Sequence, residues 1–539
     1  MKNIVFLTFL LPFIVKAQEF TRADTLKGSI TPERAWWDVM HYDLAVEIFP
    51  ETKQISGRNT IIYKVIASHT TMQIDLQSPM RIDSIIQNNK KLTFQSEGNV
   101  HFVNVRQQLI GSKNELDIYF SGMPRVARRP PWDGGFVWTK DSNQNYWIAN
   151  ANQGIGASVW WPLKDHPYDE PDEGMRISVT VPKDLMNVSN GQLKAVQEHE
   201  TTKTWIWEVV NPINAYGVNI SIGDYVHFGE IYQGENGLLK MDYYVLRDHK
   251  EKAKKQFQQA PLMMEAFEYW FGPYPFYEDG YKLIEVPYLG MEHQSAVTYG
   301  NNFENGYLGK DLSESGHGLK FDFILIHESG HEWFANNITN NDVAYMWIHE
   351  GFTCYSESLY LDYHFGKKAA SEYVVGLRKR IMNDRPMIAV PNVNFRGSSD
   401  IYYKGANVLH TLRQVINNDQ KWRSILRGLN ETFYHQTISS KQLEDYISEQ
   451  LNCDLSPFWN QYLRTTKIPT LEYKIDGKKL RYRYTSVVEN FEMPVLVTIN
   501  KKEKWLRPTK EWKTLKVGKP IENFSVKEDF YIHINPTEP

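Results

Sequence analysis

Two histidines four positions apart, His327 and His331, bracket an acid in His327-Glu328-Ser329-Gly330-His331, and a second acid, Glu350, follows in Trp347-Ile348-His349-Glu350. On a helix, residues at i and i+4 leave the same face one turn apart, so both imidazoles reach a single small cation. With Glu350 as third ligand, a tetrahedral Zn²⁺ keeps one position open for water, which is the catalytic arrangement and not the structural one. Glu328 lies about 100° further round the helix than His327, where its carboxylate faces the water instead of the metal. The chemistry this spacing can carry is metal-assisted hydrolysis. Paired histidines can also be satisfied core residues. Here Phe321, Phe323, Ile324, Leu325 and Ile326 precede the motif, and Trp333 and Phe334 follow it. The helix is therefore predicted to be buried, where two imidazoles and two acids are costly unless a cation pairs with them.

The elements that position these groups belong to a long chain. Its 539 residues exceed one hydrophobic core and predict roughly two to four domains. A net charge of −4 without a basic run argues against nucleic acid or an anionic membrane as partner. Lys2, the apolar run Ile4–Val15 and the small-residue site Val15-Lys16-Ala17 predict a removable signal peptide over 1–17. That run is too short to cross a bilayer as a helix, and no later stretch is apolar enough, so the mature chain is expected to have no membrane span. It is expected to be exported, to a periplasm or outside the cell. The two cysteines, Cys354 and Cys453, are read as buried free thiols.

Alternation at Tyr42–Ile48 predicts a half-buried strand, and similar short runs recur to about residue 225. This predicts an antiparallel β domain over 18–228. A mixed and then helical region follows over 229–468. It has an amphipathic helix at Lys250–Phe271 that is broken or restarted at Pro261, and further helices near 404–416 and 440–451. After Pro469 the strand pattern returns, predicting a small β-sandwich over 469–539. The fold class is α+β and multidomain.

Four motifs carry a resemblance. The first is His327–His331 with Glu350 after eighteen intervening residues; the second is Tyr288-Leu289-Gly290-Met291-Glu292-His293; the third is Tyr402-Tyr403-Lys404-Gly405; and the fourth is Gln153-Gly154 with Trp160-Trp161-Pro162. Together, in their order along the chain, they resemble the aminopeptidase N and leukotriene-hydrolase family of zinc metallopeptidases, the gluzincins. The resemblance implies a thermolysin-like catalytic domain. It implies one zinc ion held by His327, His331 and Glu350, and Glu328 as general base. Glu292, with Gly290 and Met291 in its motif, would bind the free α-ammonium of a peptide, because a buried cation needs a fixed anion. Gln153 would assist from the β domain. Tyr402, selected over Tyr403 by the Y-x-K-G pattern, would stabilise the oxyanion at a helix N-terminus. Glu357, seven residues after Glu350 on the same helix face, is read either as a hydrogen-bond partner of a ligating histidine or as a solvated acid, and His349 as structural.

Two departures stand out. His293 replaces the family's Asn, with the prospect of pH-sensitive amine recognition. Many members also end in a long helical domain over the site, whereas this sequence ends in strands, which predicts a cleft more open to longer peptides. The expected function is an exported zinc aminopeptidase acting on peptides with a free N-terminus. The alternatives are a zinc endopeptidase, in which Glu292 binds no amine, and a catalytically silent peptide-binding relative.

Overall fold

Buried and half-exposed residues alternate along the strand Trp37–Phe49, as expected for a sheet packed on one face. A computed structural model describes residues 19–538; the expected signal peptide lies outside the described residues. Trp37–Phe49 sits within an eight-stranded sheet that runs from Gln192–Glu198 at one edge to Lys90–Lys91 at the other. The sheet is antiparallel except where Trp37–Phe49 runs parallel to Met175–Pro182, with Tyr42 opposite Met175. The expected antiparallel β domain is present, with this one parallel pair inside its main sheet. A four-stranded sheet, in the order Met186–Val188, Ser221–Gly223, Tyr146–Ala151 and Gly135–Lys140, and a three-stranded one complete the first unit. The loop after Tyr146–Ala151 carries Gln153.

The expected boundary at 228/229 falls inside a strand. Tyr225–Gly234 pairs along its whole length with Gly237–Leu246, and that hairpin continues through Tyr281–Glu285 and Val297–Tyr299 to the short Gly290–Met291 edge. Tyr225–Gly234 is thus part of the mixed sheet of the second unit. Its helices follow: Lys250–Gln256, Gln259–Phe271, Phe323–Gly330, Trp347–Phe365, Lys367–Gly376, Tyr403–Ile416, Asp419–Thr432, Ser440–Leu451 and Ser456–Leu463. The break in the first expected helix lies at Phe257–Gln258, two residues before the restarted helix reaches Pro261 in its first turn, where the ring needs no donor. Cys354 is buried on Trp347–Phe365, and burial raises its thiol well above the ordinary range. Cys453 is exposed just past the end of Ser440–Leu451, so the reading of both thiols as buried holds for Cys354 alone. Among the described residues no helix is long and apolar enough to cross a membrane.

The last unit is two facing sheets, one built on Thr470–Asp476 and Lys479–Thr485, the other on Val495–Ile499. Its core runs into that of the helical unit. Asp529 ties the two together, accepting from His410 Nε2 (2.9 Å) and from Ser371 Oγ. Burial opposes ionisation, but these hydrogen bonds outweigh it and hold the Asp529 carboxyl below the usual carboxylate range. A lowered folded-state pKa means stability that is present above the ordinary value of about 4 and lost as pH falls below it. Asp529→Asn is expected to lower the unfolding free energy at pH 7 by about 1.5–3 kcal/mol and to flatten the fall as pH drops from about 5 to about 2. Urea midpoints of both proteins at pH 7 and across that acid window test this, and equal losses on acidification would remove Asp529 from the account.

Candidate metal centre

Asp322 starts the motif helix. Its carboxylate accepts from the Leu325 amide (3.2 Å) as an N-cap and from the Tyr299 hydroxyl (2.6 Å), which locks Phe323–Gly330 onto the strand Val297–Tyr299. The helix is buried throughout and ends as His331 becomes its C-cap. Beyond it the backbone turns sharply, with Ala335 at φ 151°, a conformation L-residues rarely adopt. The turn leaves the Phe334 carbonyl facing the helix end, where it accepts from His331 Nδ1 (3.1 Å). Thr353 Oγ1 lies 3.0 Å from the same nitrogen. His327 Nδ1 donates to Glu357 Oε1 (2.7 Å), and Tyr373 donates to the other Glu357 oxygen (2.5 Å).

With both Nδ1 atoms engaged, the Nε2 atoms are left for a ligand. Nε2 of His331 and of His327 lie 3.4 and 3.8 Å from Glu350 Oε2, a buried oxygen with no hydrogen-bond partner. Donor atoms of His327, His331 and Glu350 lie within 4.8 Å of one another. Glu350 occupies the first turn of Trp347–Phe365, where a helix favours an anion. An orphaned carboxylate oxygen opposite two imidazole nitrogens, with their other nitrogens fixed by Glu357 and Phe334, fits a zinc ion. The electrostatics agree. Burial would suppress the charged form of His331, yet Glu350 and Glu292 overcome it and push the imidazole up to about 10. Burial, against the attraction of His327, pushes Glu328 up to about 7.

The amine-binding candidates converge on the same place. Gln153 Nε2 donates to Glu292 Oε1 (2.6 Å) and to Glu350 Oε1 (2.8 Å), bridging the β domain to the metal ligand. The 288–296 segment is anchored to the first unit, for example by the Tyr288 hydroxyl donating to Asn150 O (2.7 Å). A Cβ on Gly290 would lie 2.5 Å from Ile324 Cγ2, so glycine is needed for Met291 and Glu292 to approach the motif helix this closely. Tyr402 is the N-cap residue of Tyr403–Ile416, and its ring stacks near that of His327, with centroids 6.2 Å apart. Burial, reinforced by Glu350, keeps its phenol well above the ordinary range, so it retains a proton to donate. A Cβ on Gly405 would lie 2.7 Å from Gly351 Cα; this close helix crossing sets Tyr402 beside Glu350. Tyr402, Tyr403, Glu328, Glu292, Met291 and Gln153 line one cleft of about 760 Å³.

His349 accepts from the Asn340 amide (2.8 Å) and plays no part in the cleft. His293 is fully buried, meets only Thr298 Oγ1 (3.3 Å), and is pushed down by burial to about 3. It remains neutral at ordinary pH and does not touch the Glu292 carboxylate, so the prospect of pH-sensitive amine recognition through it is withdrawn. The backbone of Glu292 is held instead by Asn336, whose Nδ2 donates to Glu292 O (3.0 Å) and to buried Glu332 (3.1 Å). Neither Asn336 nor Glu332 was selected from the sequence. Glu332 adjoins His331, but its other partners, Tyr274 and the Ser295 amide, are distant in sequence.

The Peptidase M1 N-terminal domain family matches residues 39–216, and the Peptidase family M1 domain matches 256–462. Leucyl aminopeptidase of Saccharolobus solfataricus is 21% identical over 387 residues, covering 68% of this chain and 48% of the relative. Endoplasmic reticulum aminopeptidase 1 of Mus musculus is 24% identical over 286 residues, covering 50% of this chain and 30% of the relative. The chain spans about half, or less, of the length of the curated relatives it matches. An M1 zinc metallopeptidase from Deinococcus radiodurans, solved as a mutant bound to a Tyr-Ser-Ala substrate, shares the fold with a TM-score of 0.67. It is 19% identical, and the match covers 81% of this chain and 96% of that one.

Because Glu357 orients His327 and sharpens its basicity, Glu357→Gln is expected to weaken zinc affinity by about 10–100-fold. Competition against a zinc-binding dye measures this; unchanged affinity would make Glu357 a bystander.

Proposed function

The chain belongs to peptidase family M1, and from that premise we propose that it is an exported zinc-dependent aminopeptidase that removes residues from the free N-terminus of peptides. The observation that carries the reading is the contact of Gln153 with Glu292 and Glu350. It places a buried anion one side chain away from the metal ligands, close enough to fix an ammonium and the first peptide bond together.

The residues divide the work as follows. His327, His331 and Glu350 hold one zinc ion, which when bound supplies a Lewis acid that brings the pKa of water to about 7. Glu292 pairs with the α-ammonium, and the Gln153 amide oxygen serves as a further acceptor for it. Glu328, buried beside the first ligand, takes a proton from the attacking water and returns it to the leaving amine. Tyr402 donates its phenolic hydrogen to the carbonyl oxygen as negative charge develops there. Gly290 and Met291 keep Glu292 against the motif helix. Export rests on Lys2 and the apolar run Ile4–Val15.

Alanine p-nitroanilide and its N-acetyl derivative test the proposal directly. The free amine is expected to be turned over and the acetylated form not. Glu292→Gln should lower kcat/KM for the free amine by about thirtyfold or more, and Glu328→Gln by about 10²–10⁴-fold. Equal turnover of blocked and free substrates would make the protein an endopeptidase instead.

A further inference from the structure

The cleft holds more charge than the zinc site and the amine anchor use. Besides Glu292, Glu328, Glu350 and Glu357 it is lined by Asp133 and by three cations, Lys27, Arg125 and Arg396. Lys27 donates to Ile155 O on the Gln153 loop. Arg125 faces Asp133 at 3.4 Å, and Asp133 also accepts from the amides of Arg128 and Arg129. Arg396 is exposed in the cleft and has no ion pair or hydrogen bond with any described residue.

The backbone that carries Arg396 is fixed although it forms no helix or strand. Upstream, Asn394 N donates to Asp24 O (2.9 Å), and a Cβ on Gly28 would lie 2.1 Å from the Val393 carbonyl carbon. Both partners belong to the helix Arg22–Gly28, which precedes the family's N-terminal match at residue 39. Asn392 N donates to Asp342 (2.8 Å), and Phe395 packs on Phe20, with ring centroids 5.6 Å apart. Downstream, Asp400 accepts from the amides of Met382 and Asn383. Tyr402 follows directly, and the Arg396 charge acts on its phenol. A braced loop thus presents a guanidinium without a partner beside the residue that faces the scissile carbonyl. A guanidinium is a rigid fork that matches a carboxylate with two parallel hydrogen bonds.

We propose that Arg396 is the carboxylate receptor of the cleft, pairing with a carboxylate of the bound peptide. The source is either the C-terminus of a short peptide or the side chain of an acidic first residue. The assignment rests on the aminopeptidase reading, in that Glu292 fixes the opposite end of the same ligand.

Calorimetry on zinc-loaded Glu328→Gln protein, in which turnover is expected to be slowed by about 10²–10⁴-fold, separates the cases. The probes are Ala-Ala-Ala, its C-terminal amide, Glu-Ala-Ala amide and N-acetyl-Ala-Ala-Ala. One carboxylate-bearing probe, Ala-Ala-Ala or Glu-Ala-Ala amide, is expected to bind about tenfold or more tightly than Ala-Ala-Ala amide, and which one it is identifies the source. Adding Arg396→Gln should bring that ratio to about one, with Arg396→Lys retaining part of it; thermal melts confirm that both variants fold. Equal binding of acid, amide and glutamyl probes, a uniform loss across all of them in Arg396→Gln, or no binding of any would overturn the assignment. Equal binding of N-acetyl-Ala-Ala-Ala and Ala-Ala-Ala would instead sink the amine anchor while leaving the Arg396 ratio readable.

Discussion

The orphaned Oε2 of Glu350, facing two imidazole nitrogens inside a buried site, is the constraint on which the rest of the structure depends. Glu292, Glu328 and Glu357 are buried around the same imidazoles. So many carboxylates in a low-dielectric setting repel one another, and leaving them unpaired is expensive. Glu350 and Glu292 push the His331 imidazole up against its burial, and burial pushes the Glu328 carboxyl up. A bound divalent cation would meet that surplus, with its candidate ligands His327 and His331 already oriented by Glu357 and the Phe334 carbonyl.

Orientation is what the surrounding fold supplies. Asp322 sets the start of the motif helix, and the strained turn at Ala335 aims the Phe334 carbonyl at one ligand. The close crossing of Gly351 and Gly405 fixes the second and third helices of the site against each other. The β domain contributes Gln153, which bridges Glu292 and Glu350, so this part of the cleft is completed only where two units meet. A displacement between those units would move Gln153 relative to Glu292 and Glu350 without touching either, so the interface bears on the geometry of the site.

The sequence was most legible where the physics is local. The i, i+4 spacing of His327 and His331 needs only helix geometry, and the alternation at Tyr42–Ile48 needs only a one-sided sheet. Glu357 falls on the Glu350 face by the same periodicity. The convergence of Gln153, Glu292 and Tyr402 was reachable only through resemblance, because no local rule joins residues so far apart in the chain. The parallel pairing of Trp37–Phe49 with Met175–Pro182 was hidden because alternation reveals a face and not a partner. The exposure of Cys453 and the burial of His293 were not legible for a shared reason: residue type gives a tendency to be buried or to titrate, and only the environment decides it. Asn336, Glu332 and Arg396 left no signal, since an isolated polar residue in sequence does not reveal whether it faces a backbone carbonyl, a core or a cleft.

A zinc-edge anomalous difference map of crystals grown with zinc tests the central claim most directly. The account predicts one strong peak about 2.0–2.2 Å from Nε2 of His327, Nε2 of His331 and a carboxylate oxygen of Glu350. A site without density there, or a peak that leaves Glu350 uncoordinated, would contradict it.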